Sequence, residues 1–65
     1  MEWKNNNQEK PEEYRELLII DTNGHVNIGL YINGKNPHYR IRGDYDDLIC
    51  RDENIKWWQY IELPE

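Results

Sequence analysis

Glu16-Leu17-Leu18-Ile19-Ile20-Asp21-Thr22-Asn23-Gly24-His25-Val26-Asn27-Ile28-Gly29-Leu30-Tyr31-Ile32 is the stretch on which the fold turns. Two runs rich in β-branched and aliphatic residues flank an Asn-Gly pair, and Asn-Gly supplies the positive φ angles of a tight hairpin turn. A two-residue loop at Asn23-Gly24 would set Asp21 opposite Val26, Ile19 opposite Ile28 and Leu17 opposite Leu30. One face of the hairpin is then almost wholly aliphatic. Because a slip of one residue swaps the two faces of both strands, that pattern argues for this register.

Outward from the hairpin, the loop Asn33-Gly34-Lys35-Asn36-Pro37 leads into a third strand over His38–Arg42, whose Tyr39 and Ile41 join the aliphatic face. Gly43-Asp44-Tyr45-Asp46-Asp47 reads as a turn, Leu48-Ile49-Cys50 as a short buried segment, and Arg51-Asp52-Glu53-Asn54 as a second turn. A last strand runs from Ile55 to Ile61. Alternation puts Ile55, Trp57 and Ile61 on one side and Lys56, Trp58 and Tyr60 on the other, with Gln59 a misfit on the inner side. Residues 1 to 11 are polar and Asn-rich and read as a flexible lead-in, and Pro11-Glu12-Glu13-Tyr14-Arg15 as one helical turn. The expected architecture is mainly β: a small antiparallel meander of three to four strands with a flexible N-terminal segment. Residues 12–65 make one domain.

At 65 residues the core must be thin, since a domain of this length buries only about 60% of the surface its unfolded chain exposes. A composition 37% hydrophobic and 32% charged lies above that of a disordered tail but leaves few apolar residues to order the backbone. One cysteine, Cys50, permits no intrachain disulfide, which points to a cytoplasmic setting. No signal-peptide core and no membrane-spanning run is present. The net charge of -5 opposes attraction to nucleic acid or anionic lipid.

Catalytic chemistry finds little to work with. His25, His38 and Cys50 lack the close spacing of a structural zinc site, and Asp44, Asp46 and Asp47 lack the later bidentate Glu of a calcium loop. The chain contains no serine, and Cys50 sits beside an apolar pair where a thiol tends to be inert. Gly24, Gly29, Gly34 and Gly43 are scattered rather than gathered into a phosphate loop. No cofactor is expected, and the chain reads as a non-enzyme. Lys35, His38, Arg40 and Arg42 around Tyr39 form a basic cluster with an interleaved aromatic, so Arg40 and Arg42 are the candidate contacts for a nucleotide or single-stranded nucleic acid. Against this stands the plainer reading of arginines that face water or pair with neighbouring acids on an edge strand.

The aromatic set consists of three Trp and five Tyr with no Phe, a choice that favours interfaces because each ring joins large apolar area to a polar tip. By the register above, the face opposite Leu17, Ile19, Val26, Ile28, Leu30 and Trp57 carries Leu18, Ile20, Tyr31, Trp58 and Tyr60. These five are the expected partner-binding residues, and so much apolar area needs a cover. The chain's own N-terminal segment, folded back through Trp3 and Tyr14, or a second copy in a homodimer would supply it. Trp57 is then the core ring and Trp58 the exposed one.

The run from Leu17 to Tyr31, with Trp3 and Lys10-Pro11 ahead of it and Gln59-Tyr60-Ile61-Glu62-Leu63-Pro64-Glu65 behind, resembles the short bacterial and phage proteins grouped as domain of unknown function 551. Those proteins typically open with a Trp, carry Leu-Pro before a run such as Val-Leu-Val-Tyr, and close on His-Trp-Met-Pro-Leu-Pro-Glu. Here Gln59, Tyr60 and Glu62 stand at the closing His, Trp and first Pro. The resemblance implies no reaction. It implies a phage or mobile-element setting, and it makes Leu63-Pro64-Glu65 the natural end of the domain. The residues themselves read as a protein-interaction module that modulates a host protein, with a nucleotide or single-stranded nucleic-acid binder and a structural protein as the alternatives.

Overall fold

A computed structural model describes residues 2–62. Leu63-Pro64-Glu65, the closing run of the family resemblance, lies outside the described residues. The described residues form one antiparallel sheet of six strands: β1 (Lys4–Asn5), β2 (Leu17–Asp21), β3 (Val26–Ile32), β4 (His38–Ile41), β5 (Leu48–Arg51) and β6 (Ile55–Tyr60). Their order across the sheet is β1-β6-β2-β3-β4-β5. The expected meander is present as β2-β3-β4, and the count of three to four strands falls short at both flanks. Leu48-Ile49-Cys50, expected as a buried segment, is the edge strand β5, with Leu48 64% and Ile49 69% exposed. No helical turn forms over Pro11–Arg15; Glu13 bridges Tyr31 in parallel instead, and Tyr14 takes a positive φ of 64°.

The hairpin register differs from the expected one by a single residue. Leu17 lies opposite Gly29, Leu18 opposite Ile28, Ile19 opposite Asn27 and Ile20 opposite Val26. The cause is the turn. Gly24 has φ 85°, but Asn23 is not in the left-handed region, so the two positive φ angles of a type I′ loop are not both present. The backbone N–H of Gly24 donates to Asp21 O, and Asp21 N–H donates to His25 O. This closes a three-residue loop, Thr22-Asn23-Gly24, on a left-handed glycine. The Asp21 carboxylate fixes that choice by accepting from the N–H groups of both Asn23 and His25, each at 2.9 Å.

One residue of slip exchanges the faces of β3 relative to β2. The inner face gathers Leu17, Ile19, Tyr31, Tyr39, Ile41, Ile55 and Trp58, all buried, with Cys50 and Tyr60 packed against them. Tyr39 and Ile41 are therefore on the core side as expected, whereas Val26, Ile28 and Leu30 are not. In β6, Trp58 lies opposite Ile19 and Tyr60 opposite Leu17, while Trp57 lies opposite Ile20 on the other face. Trp58 is the core ring, 1% exposed, and Trp57 is half-buried. Lys56 is an extra residue in the β2–β6 ladder, because Ile20 pairs with Trp57 while Asp21 pairs with Ile55. That irregularity turns Ile55 to the same side as Trp58, against simple alternation.

The rings hold this face by area and geometry. Tyr31 and Tyr39 lie 5.0 Å apart between centroids, and Trp58 meets Tyr60 edge-on at the same distance. Buried aromatic rings remove roughly 150–250 Å² each, more than the aliphatic side chains of β3 offer. Gly29 has no side chain, and Ile19 Cδ1 approaches within 3.2 Å of where its Cβ would stand.

The segment between β1 and β2 closes over the aromatics. Asn6, buried at 1% exposure, donates through Nδ2 to the backbone oxygens of Asp52 (3.0 Å) and Ile55 (3.1 Å). Its Oδ1 accepts from the Tyr39 hydroxyl. Further along, Trp58 Nε1 donates to Glu9 O at 3.0 Å, Pro11 is buried, and the Glu12 N–H donates to the Tyr60 hydroxyl at 3.0 Å. Tyr14 N–H donates to Tyr31 O, and the Arg15 guanidinium stacks 3.8 Å over the Tyr60 ring. Residues 6–16 thus form a strap across the inner face, so the stretch expected as a lead-in carries an anchor in the core.

That anchor gives two expected outcomes. Tyr39→Phe leaves the buried Asn6 carbonyl without its donor and should cost about 1–3 kcal/mol in a denaturant titration. Burial first, then the Asp52 carboxylate and Tyr31, hold the Tyr39 phenol far above its ordinary value, and burial with Asp52 and Glu13 raises Tyr31. A folded-state pKa above the unfolded one means stability that is intact below the ordinary phenol pKa of about 10 and falls as pH rises beyond it. Tryptophan fluorescence should report this alkaline loss, and Tyr39→Phe should flatten its pH dependence. A slope unchanged in the variant would contradict the burial of Tyr39.

Candidate interaction face

Among the described residues, no strap crosses the outer face of the sheet. Adjacent strands contribute Trp57 beside Ile20 and Ile20 beside Val26 in one row, and Gln59, Leu18 and Ile28 in the next. Val26 is 58% exposed and Ile28 40%. Leu18, Ile20 and Trp57 are half-buried. Trp3, just ahead of β1, closes the far side, lining a shallow apolar depression together with Ile20 and Trp57. A second depression runs along Leu18, Val26 and Ile28 to Arg42, Gly43 and Asp44. Both are open hollows rather than clefts that would desolvate a reacting group.

Of the five residues expected to bind a partner, Leu18 and Ile20 are on this face. Tyr31, Trp58 and Tyr60 are not: they lie on the inner face under the strap, where Trp58 and Tyr31 are buried. The cover comes from the chain's own N-terminal segment, through Asn6, Glu9 and Glu12 rather than through Trp3 and Tyr14. Trp3 reaches the opposite face, and Tyr14 is 69% exposed. Val26, Ile28 and Trp57 take the vacated places. Sequence alternation groups these three with Leu17 and Ile19; the structure keeps the three together but turns them to the face opposite Leu17 and Ile19. Trp3 carried no register information of its own, being outside every alternating run.

Arg40 and Arg42 are on the outer face as well, each beside a carboxylate. Arg42 Nη2 is 2.5 Å from Glu16 Oε1, and Arg40 Nε is 3.9 Å from Asp47 Oδ2. Both pairs are solvent-exposed and so contribute only about 0–1 kcal/mol each. The arrangement is a charge-balanced border along one side of the apolar rows, and the strand that carries both arginines, β4, is internal to the sheet rather than the expected edge strand. His38 Nδ1 donates to Asn36 O at 2.9 Å, a contact local to its own loop.

His25 Nδ1 is 3.8 Å from Asp21 Oδ2 at the hairpin turn. Among the described residues, no group of three His, Cys, Asp or Glu side chains could hold a metal ion. Burial first, and the Asp21 charge second, push the Cys50 thiol up, which keeps it protonated near neutrality. No helix among the described residues is long and apolar enough to cross a membrane. Comparison with protein-family models, curated proteins and solved structures finds no match to this chain.

Proposed function

We propose that the chain is a small, non-catalytic, cytoplasmic protein-interaction module whose docking surface is the outer face of the sheet: Trp3, Leu18, Ile20, Val26, Ile28 and Trp57. The observation that carries this reading is the unequal treatment of two apolar faces. The protein spends eleven residues, 6–16, on strapping one, whereas among the described residues the other carries no strap and exposes Trp3, Val26 and Ile28, and an exposed apolar patch on so small a domain marks an interaction site. The partner is a protein with an apolar patch of its own; the resemblance to phage and bacterial proteins suggests a host protein. A nucleotide or single-stranded nucleic acid is the second reading, resting on Arg40 and Arg42. The carboxylates beside both arginines weigh against it.

The test compares variants. Ile28→Glu, or Trp57→Ala, should abolish capture of a protein partner from native-host lysate while Arg40→Ala with Arg42→Ala retains it. Binding of a single-stranded oligonucleotide that falls steeply with salt and disappears in the double-arginine variant would replace the proposal with the second reading.

A further inference from the structure

The two edges of the sheet are unlike. At one end β1 is two residues long, which gives a second chain little to pair with. At the other, β5 is a four-residue strand whose Leu48 and Ile49 are mostly exposed. The ladder determines which backbone groups are free on that edge. Arg42 N–H donates to Ile28 O, so by strict alternation His38, Arg40 and Arg42 turn their backbone toward β3, and Tyr39 and Ile41 toward Cys50 and Leu48. Ile49 and Arg51 therefore direct their N–H and C=O groups off the sheet.

We propose that β5 is a self-complementary edge, pairing antiparallel with β5 of a second copy about a two-fold axis through Ile49. This register places Ile49 against Ile49 of the second copy, Leu48 against its Cys50, and Asp47 against its Arg51, twice over. The segment Asp47-Leu48-Ile49-Cys50-Arg51 carries opposite charges at equal distances either side of Ile49, so two antiparallel copies complement each other. The neighbouring two-fold registers are worse. Centring on Cys50 sets Leu48 against Asp52 and Asp47 against Glu53; centring on Leu48 sets Ile49 against Asp47 and Cys50 against Asp46. Both charges are available, since Arg51 meets Glu53 at 3.6 Å and Asp47 meets Arg40 at 3.9 Å in exposed, loose pairs. Two six-stranded sheets then become one, with both outer faces on the same side. The inference stands independently of what docks on that face.

Sedimentation of the full chain tests it. Wild type should dimerise reversibly, and Ile49→Lys, with two ammonium groups meeting on the axis, should be monomeric. Asp47→Arg and Arg51→Asp should each weaken the dimer about tenfold, and the double reversal should restore it to within about threefold, because opposed like charges recur at both ends of the pair. Val26→Lys on the outer face should leave the dimer intact. Oxidation of wild type should give little disulfide, since in this register the two Cys50 residues are not opposite one another, whereas Ile49→Cys with Cys50→Ser should cross-link. A wild type that stays monomeric at high micromolar concentration, a double reversal no better than the singles, or ready cross-linking through Cys50 would each overturn the proposal.

Discussion

Trp58→Ala is expected to unfold the domain at ambient temperature or to remove about 3–5 kcal/mol of its stability, because the ring is almost wholly out of water. Single domains hold only about 5–15 kcal/mol in all, and one this short sits toward the low end. The substitution also strips Tyr60 of its edge-on partner and leaves the Glu9 carbonyl without the indole N–H. Its neighbour should behave in the opposite way. Trp57→Ala lies on the outer face, so the denaturation midpoint should shift little while partner capture is lost. Chemical denaturation of both variants decides between the faces; an unfolded Trp57→Ala beside a stable Trp58→Ala would reverse them.

Gly29→Val is expected to be comparably damaging, and here two effects point in opposite directions. Replacing a glycine in mid-strand by a β-branched residue ordinarily favours the strand by up to about 1 kcal/mol. A Cβ at this position, however, would collide with the carbonyl oxygen of Arg40 across the β3–β4 ladder, and backbone cannot swing aside as a side chain can. Overpacking costs about 1–3 kcal/mol even where side chains yield, so the clash wins. The visible result should be loss of β4 and β5 pairing, read as weakened amide protection from His38 to Arg51. Gly34→Val, in the following loop where a Cβ meets nothing within 4 Å, is the matched control and should be tolerated.

The strands themselves were largely legible in the sequence, because alternation and turn residues mark β2, β3, β4 and β6 without reference to anything distant. Register was not. Leu17 with Ile19 and Leu18 with Ile20 are equally aliphatic, so β2 has no preferred face, and Val26, Ile28 and Leu30 look more like a core than Asn27, Gly29 and Tyr31 do. What reverses that impression is a side chain, the Asp21 carboxylate capping a three-residue loop, and a set of rings whose burial outweighs the aliphatic row. The strap was invisible for a different reason. Asn6 sits in a polar Asn run, and its burial depends on the Tyr39 hydroxyl and the Asp52 and Ile55 carbonyls, partners that lie at least 33 residues away. The candidate site inherits the same slip: Leu18 and Ile20 were placed with an interaction face, while Tyr31, Trp58 and Tyr60 were assigned to it from the wrong side of the sheet.

The hairpin register decides which face is open, and through-space proton contacts between α-hydrogens measure it directly. In the ladder described, Leu17–Gly29 and Ile19–Asn27 exchange backbone hydrogen bonds, which makes Leu18–Ile28 and Ile20–Val26 the close pairs. Strong Hα–Hα Overhauser contacts between Leu18 and Ile28, and between Ile20 and Val26, are the predicted result. Contacts displaced by one residue, such as Leu18 with Gly29 or Ile20 with Asn27, would return Val26, Ile28 and Leu30 to the inside and contradict the account.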